Sequence, residues 1–217
     1  MVTANTQPRR VDPVVLSERR ERRHDRVVNR MLGVVETLLQ NEDSYLDVSV
    51  EQIIEAGEMS RSTFYRYFDD KVELILALGD RAMTEITGIA QAIWELPPGA
   101  SRDDVGLAID SAFAAYLPHT RLMAAVFEVS SYDKRAREHF GAVYGRAQAA
   151  LTKHIRVGQK AGSVRSDLHP EETAGWLVWM VERGMIQLVE GAGPARLKRL
   201  RGSLTDIIWH TLYEPRG

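Results

Sequence analysis

The chain has no cysteine among its 217 residues. That removes disulfides, thiolate zinc ligands and cysteine nucleophiles together. No apolar run approaches the roughly 20 residues needed to span a bilayer, and the N-terminus lacks the basic-then-apolar layout of a secretory leader. These absences lead to the expectation of a cytoplasmic protein with no membrane partner. The six histidines, His24, His119, His139, His154, His169 and His210, form no i, i+4 pair and no HExxH, so no metal site is expected. The GxSxG, GxxxxGK[ST] and GxGxxG patterns are also missing. Asp167 and His169, near Ser163 and Ser166, read as loop and capping residues. Catalysis and a bound cofactor therefore have no support in the sequence, and no segment from residue 101 onward reads as a strand.

What the chain does have is helical periodicity and an uneven charge. Hydrophobic residues make up 44% of it, enough for a real core. Net charge is −2, yet residues 1–30 hold eight arginines against four acids. That is a balance of +4, which leaves −6 for the remainder. A basic leader ahead of an acidic body is the asymmetry of a protein that meets nucleic acid at one end. A solvated arginine-rich tail gives the same composition.

Residues 1–16, with Pro8 and Pro13, read as disordered or extended, and from about Ser17 the sequence can be helical. Apolar steps of three and four from Val27 to Leu39 predict an amphipathic helix over Asp25–Gln40. Asp70, with Glu73 three residues on, caps a long helix that runs to Trp94 and stops at Pro97-Pro98-Gly99. Further helices are predicted at about 102–116, 118–131, 133–161, 170–191 and 195–213, with Pro118 and Pro170 in first turns. The fold class is all-α, with about nine helices. The expected divisions are a flexible basic arm over 1–20, a helix-turn-helix head over 21–76 and a larger body over 77–217.

The head is organised by SVEQIIEAGEMSRSTFYRYFDDK, residues 49–71. Ser49 and Gln52 make a capping box for a first short helix. Gly57 is expected to end it in the left-handed conformation. Met59 fills the corner, and Ser60 caps a second helix whose core face is Phe64 and Phe68. The other face carries Arg61, Ser62, Thr63, Tyr65 and Arg66, the hydroxyl, phenol and guanidinium groups that meet phosphates and base edges. This is the pattern of a helix-turn-helix; an ordinary helical hairpin shares the spacing.

Ser49 to Ile53, Ala56-Gly57, the run Ser60 to Phe68, and Lys71 with Leu74 resemble the TetR family of transcriptional repressors. Gly162 to Asp167 before Pro170 is similar to a loop common in that family. Residues 49–76 and Glu182-Arg183 look like its EthR-like branch. The resemblance implies a homodimer that reads a palindromic operator in double-stranded DNA. The second helix of the motif would lie in the major groove, and the body would hold a ligand pocket. It assigns Ser60 and Thr63 to a phosphate. It assigns Arg61, Ser62, Tyr65 and Arg66 to bases or phosphates, and Tyr67, Lys71 and Ser49 to backbone phosphates, with Arg19 to Arg26 tracking an adjacent groove. It places the dimer contact on the last two helices.

The resemblance also tips part of the body's aromatic content toward a pocket. The candidates are Phe113, Tyr116, Met123, Phe127, Tyr144, Trp176, Trp179 and Met180, lining a site for a small hydrophobic effector. Glu182 and Arg183 interrupt an apolar helix. They read as an internal ion pair or as a polar anchor, with Arg183 the candidate ligand contact. The function implied is a ligand-released repressor. The rivals are a nucleoid- or division-associated DNA binder that takes no ligand, whose body would be filled by side chains, and a helical enzyme or carrier.

Overall fold

The structure is a computed structural model that describes residues 13–42, 44–94, 96–97 and 99–213. Among these, nine α-helices appear: α1 (Pro13–Leu38), α2 (Val50–Ala56), α3 (Arg61–Tyr67), α4 (Lys71–Trp94), α5 (Arg102–Tyr116), α6 (Thr120–Tyr132), α7 (Lys134–Ala161), α8 (Pro170–Gly184) and α9 (Pro194–Leu212). A 3-10 turn, Leu117–His119, precedes α6, and a π turn, Met185–Val189, continues α8. No strand occurs among the described residues. Pro118 sits in the 3-10 turn rather than in the first turn of α6. Residues 1–12 lie outside the described set, but 13–20, read from sequence as part of a flexible arm, belong to α1.

In the head, α1 presents Val28, Met31 and Val35 to α2, α3 and the start of α4. Helices α2 and α3, of seven residues each, are too short to persist by propensity alone. They are held by caps and packing. Ser49 Oγ accepts from Gln52 N while Gln52 Oε1 accepts from Ser49 N at 2.7 Å, and Ser60 Oγ accepts from Thr63 N at 3.1 Å. Ile53, Phe64 and Phe68 are fully buried.

The corner between α2 and α3 differs from the sequence expectation. Gly57 has φ −82° and is not left-handed; the positive φ, +46°, falls on Glu58. Glycine is needed at 57 for space: a Cβ there would stand 2.8 Å from Ile53 O and 3.1 Å from Met31 Sδ. Arg30 Nη2 donates to Gly57 O at 2.5 Å, which uses one leader arginine to hold this corner.

Helix α4 belongs to both halves. Its first turns bury Leu74, Ile75 and Leu78 in the shared core, and later turns pack on α5, α6 and α7. Four side chains add polar contacts to the join. Glu128 of α6 accepts from Ser44 Oγ and from Tyr45 N, the latter at 2.9 Å. Arg121 donates to Leu39 O at 2.7 Å. His119, buried ahead of α6, is bonded through Nδ1 to Glu36 of α1 at 2.7 Å and through Nε2 to Glu85 of α4 at 3.1 Å. Arg135 at the start of α7 reaches Asp70 at 2.8 Å. Burial at Asp70 opposes ionisation, but the Glu73 N–H and Arg135 outweigh it and hold the carboxyl low.

Gly79 marks the closest approach between α4 and the body. A Cβ there would lie 2.4 Å from Phe140 Cζ and 2.9 Å from Val126 Cγ2. Helix propensity alone favours alanine over glycine by about 1 kcal/mol. Gly79→Ala is expected to destabilise instead, by roughly 1–3 kcal/mol from overpacking, read as a lower midpoint in thermal or urea unfolding.

Candidate DNA-binding face and ligand cavity

The outward side of α3 is a continuous polar surface. Arg61, Ser62, Tyr65 and Arg66 are exposed and Thr63 is half-buried. The hydroxyls of Ser60, Ser62 and Thr63 cluster at the N-terminus of α3, with Ser60 Oγ 3.0 Å from Ser62 Oγ and 2.8 Å from Thr63 Oγ1. Arg61 Nη1 bonds Glu51 Oε1 of α2 at 2.6 Å, and its guanidinium lies 5.6 Å from the Tyr65 ring centroid. Both partners are exposed, so the pair is weak and exchangeable. Arg66 makes no hydrogen bond or ion pair among the described residues. His24 of α1 stacks near Tyr67 and Phe68, with centroids 6.1 and 6.0 Å apart. That contact sets Arg19, Arg20 and Arg23 across a cleft from Arg66 and Tyr67. Arginines from two helices thus converge beside α3, with Asp69 and Glu73 lining the same cleft.

Lys71 is placed differently from the sequence reading. Its Nζ donates to the carbonyls of Tyr45, Leu46 and Val48 at 3.1, 2.9 and 3.0 Å. All three ammonium donors are thereby used, and the Tyr45 hydroxyl donates back to Lys71 O at 2.7 Å. Lys71 closes the loop before α2 instead of facing outward to a phosphate. Ser49 is exposed but occupied as a cap, and Tyr67 is half-buried in the aromatic group.

The body encloses a cavity of about 800 Å3. Its walls come from six helices: Met83 and Ile86 on α4, Phe113 and Tyr116 on α5, Met123 on α6, Val143 and Tyr144 on α7, Leu177 and Val181 on α8, and Leu204 and Ile208 on α9. Met185 and Ile186 of the π turn complete the apolar surface. Four sequence candidates, Phe113, Tyr116, Met123 and Tyr144, are therefore brought together. Glu182, Tyr116 and Tyr144 form a polar group inside. Glu182 is half-buried, and loss of hydration pushes its carboxyl up, against the opposing pull of Arg183 and the facing Tyr144 hydroxyl. Burial also raises Tyr144 and Tyr116. At the other end His154 Nε2 meets Tyr213 Oη at 2.8 Å, and burial pushes Tyr213 up to about 12.

Residues 39–78 match the family described as "Bacterial regulatory proteins, tetR family". The chain is 24% identical over 166 residues to the HTH-type transcriptional regulator EthR of Mycobacterium tuberculosis and of Mycobacterium bovis, spanning 76% of each chain. The family match falls on the head, and the chain as a whole is similar to regulators of that family. The chain is a DNA-binding transcriptional regulator. Solved structures share the fold over most of this chain. One is a putative transcriptional regulator from Saccharomonospora viridis in complex with choline (TM-score 0.67, 21% identity, 88% of this chain and 100% of that one). Another is a TetR transcription regulator from Haloarcula marismortui (TM-score 0.67, 14% identity, 87% and 99%).

Five pocket candidates do not line the cavity. Trp176 is 80% exposed, and Trp179 and Met180 also lie on the outer face of α8. Phe127 lies beneath Arg183, whose guanidinium sits 4.0 Å from its ring centroid. That contact draws Arg183 away from the cavity, while Glu182, one position earlier, faces it. Glu182 and Arg183 thus form neither a cross-helix pair nor a shared anchor. Composition favoured the tryptophans because they are large and apolar; helical phase turns them out. The residues missed, Met83, Ile86 and Met185 among them, sit at the same spacing as core residues, and only the void separates the two roles.

Arg61→Ala and Arg66→Ala are each expected to weaken operator binding by roughly 1–3 kcal/mol with no change in unfolding midpoint. Lys71→Met is expected to lower the unfolding midpoint. Fluorescence anisotropy on operator DNA and thermal unfolding check both.

Proposed function

We propose that this regulator is a dimeric repressor that a small, mainly apolar ligand releases from a palindromic operator. The observation that carries this reading is the geometry of α4 and α6. Each contributes to the cavity wall, through Met83 and Ile86 or through Met123. Each also grips the head, through the shared core around Leu74 and Ile75 or through Arg121 and Glu128. A ligand acts only by binding one arrangement of these helices better than another. Ligand that fits a wider cavity would therefore favour a different head position. The open cavity speaks against the rival that takes no ligand, because that rival's body would be packed. A neighbour in fold is described in complex with choline, so this architecture accepts a small molecule.

The DNA contact we assign to Ser60, Arg61, Ser62, Thr63, Tyr65 and Arg66, with Arg19, Arg20 and Arg23 on adjoining phosphates. Ser49 and Tyr67 lie at the edge of this surface. The dimer contact we assign to α8, the π turn and α9. Trp176, Trp179, Met180, Leu188 and Ile207 are large apolar side chains left exposed there, at 38–80%, and a contiguous patch of that kind marks an interface. A two-fold dimer presents its two α3 helices to half-sites about 34 Å apart.

Two outcomes are expected. Trp176→Glu shifts the protein from dimer to monomer in light scattering at micromolar concentration and lowers operator affinity with it. Ala147→Trp, which fills the cavity from α7, lowers operator affinity about tenfold or more while the unfolding midpoint holds or rises; unchanged operator affinity in a folded, dimeric Ala147→Trp protein contradicts release by cavity filling.

A further inference from the structure

The cavity has a polar pole built by α5, α7 and α8, apart from the His154–Tyr213 pair at its other end. Tyr116 is 6% exposed, and its hydroxyl is buried with no hydrogen-bond partner. Such a group costs roughly 1–3 kcal/mol unless something satisfies it. Beside it are the Tyr144 hydroxyl and the Glu182 carboxylate, the three groups coming from α5, α7 and α8. The cation nearest Glu182 in sequence, Arg183, is held against Phe127. The pole thus combines a half-buried carboxylate, within the pull of Arg183 and bonded by the Tyr144 hydroxyl, with two phenol rings and an unsatisfied hydroxyl.

We propose that the ligand of this cavity is an amphiphile with a cationic amine head, seated against Glu182, Tyr116 and Tyr144, and an apolar body along the remaining wall. This rests on the reading of the cavity as the effector site. An ammonium adds a countercharge beside the half-buried carboxylate, donates to it, and gives the Tyr116 hydroxyl a donor to accept from. The faces of the two tyrosine rings add cation–π attraction. Burial raises the Glu182 carboxyl without a ligand, so a bound cation relieves a cost that the empty protein carries.

The cavity's own cations, Arg146 and Lys153, line it but are exposed. Arg146 is two residues from Tyr144 and Lys153 nine, about 13–14 Å along the helix. They line an edge where solvent screens their repulsion. An anionic head would be drawn to that rim and would leave the inner pole unsatisfied.

The test measures binding of three ten-carbon probes, n-decylamine, 1-decanol and decanoate, to the dimeric protein by calorimetry. Wild type is expected to bind the amine at least tenfold tighter than the alcohol, and decanoate weakest. Glu182→Gln should abolish the preference for amine over alcohol while leaving the alcohol's affinity within about twofold. Tyr116→Phe should weaken amine binding severalfold with no loss of thermal stability, a readout that a merely structural hydroxyl would not give. Preference for decanoate, or an amine affinity indifferent to Glu182→Gln, overturns the proposal. Glu182-dependent amine binding that leaves operator affinity unchanged keeps the ligand class and removes ligand release. Failure of all three probes to bind at millimolar concentration removes both.

Discussion

Helix α4 cannot be divided between the two halves of the molecule. Its 24 residues make a rod of about 36 Å at 1.5 Å per residue, with one end in the head's core and the other in the cavity wall. Packed interiors do not yield continuously, so a change of tilt at the cavity arrives at the head largely undiminished. Over that length a rotation of about 5° displaces the far end by about 3 Å. The close approach at Gly79 packs the rod against Phe140 and Val126 of the body. Glu128 and His119 reinforce it: α6 and the turn before it are bonded to the loop before α2, to α1 and to α4.

The body looks over-supplied with unsatisfied features when judged by stability alone. It leaves about 800 Å3 unfilled, buries the Tyr116 hydroxyl without a partner, half-buries the Glu182 carboxylate and exposes Trp176 and Trp179. Each is destabilising in an isolated, empty monomer. Together they become reasonable if a second copy covers the tryptophans and a ligand occupies the cavity. The head shows the opposite character. Its caps are closed, its core is full, and Lys71 spends all three donors on backbone carbonyls. One half is built to stay as it is and the other to respond.

Much of the head was legible in the sequence because local chemistry dictates it. Ser49 with Gln52, and Ser60 before α3, are capping signals that act within three residues, and Phe64 and Phe68 follow the helical period. Where long-range geometry decides, sequence reasoning failed. Gly57 looked like a left-handed cap, but its constraint is the approach of Met31 from α1, and the positive φ moved to Glu58. Lys71 looked like a phosphate ligand because its three carbonyl partners lie 23–26 residues earlier and form a cage only once folded. In the body, helix positions were visible but phase was not. One position separates Glu182, facing the cavity, from Arg183, stacked on Phe127. A cavity has no pattern of its own, since its lining residues repeat like any core.

The absence of cysteine makes the coupling through α4 directly measurable. A spin label at Glu55→Cys, on the exposed side of α2, reports the distance between the two heads of a dimer by pulsed electron resonance. The account predicts a narrow distribution in the wild-type background, and a shift of about 3 Å or more in its mean when Ala147→Trp fills the cavity. The same distribution with and without Ala147→Trp, in folded dimers, would contradict it.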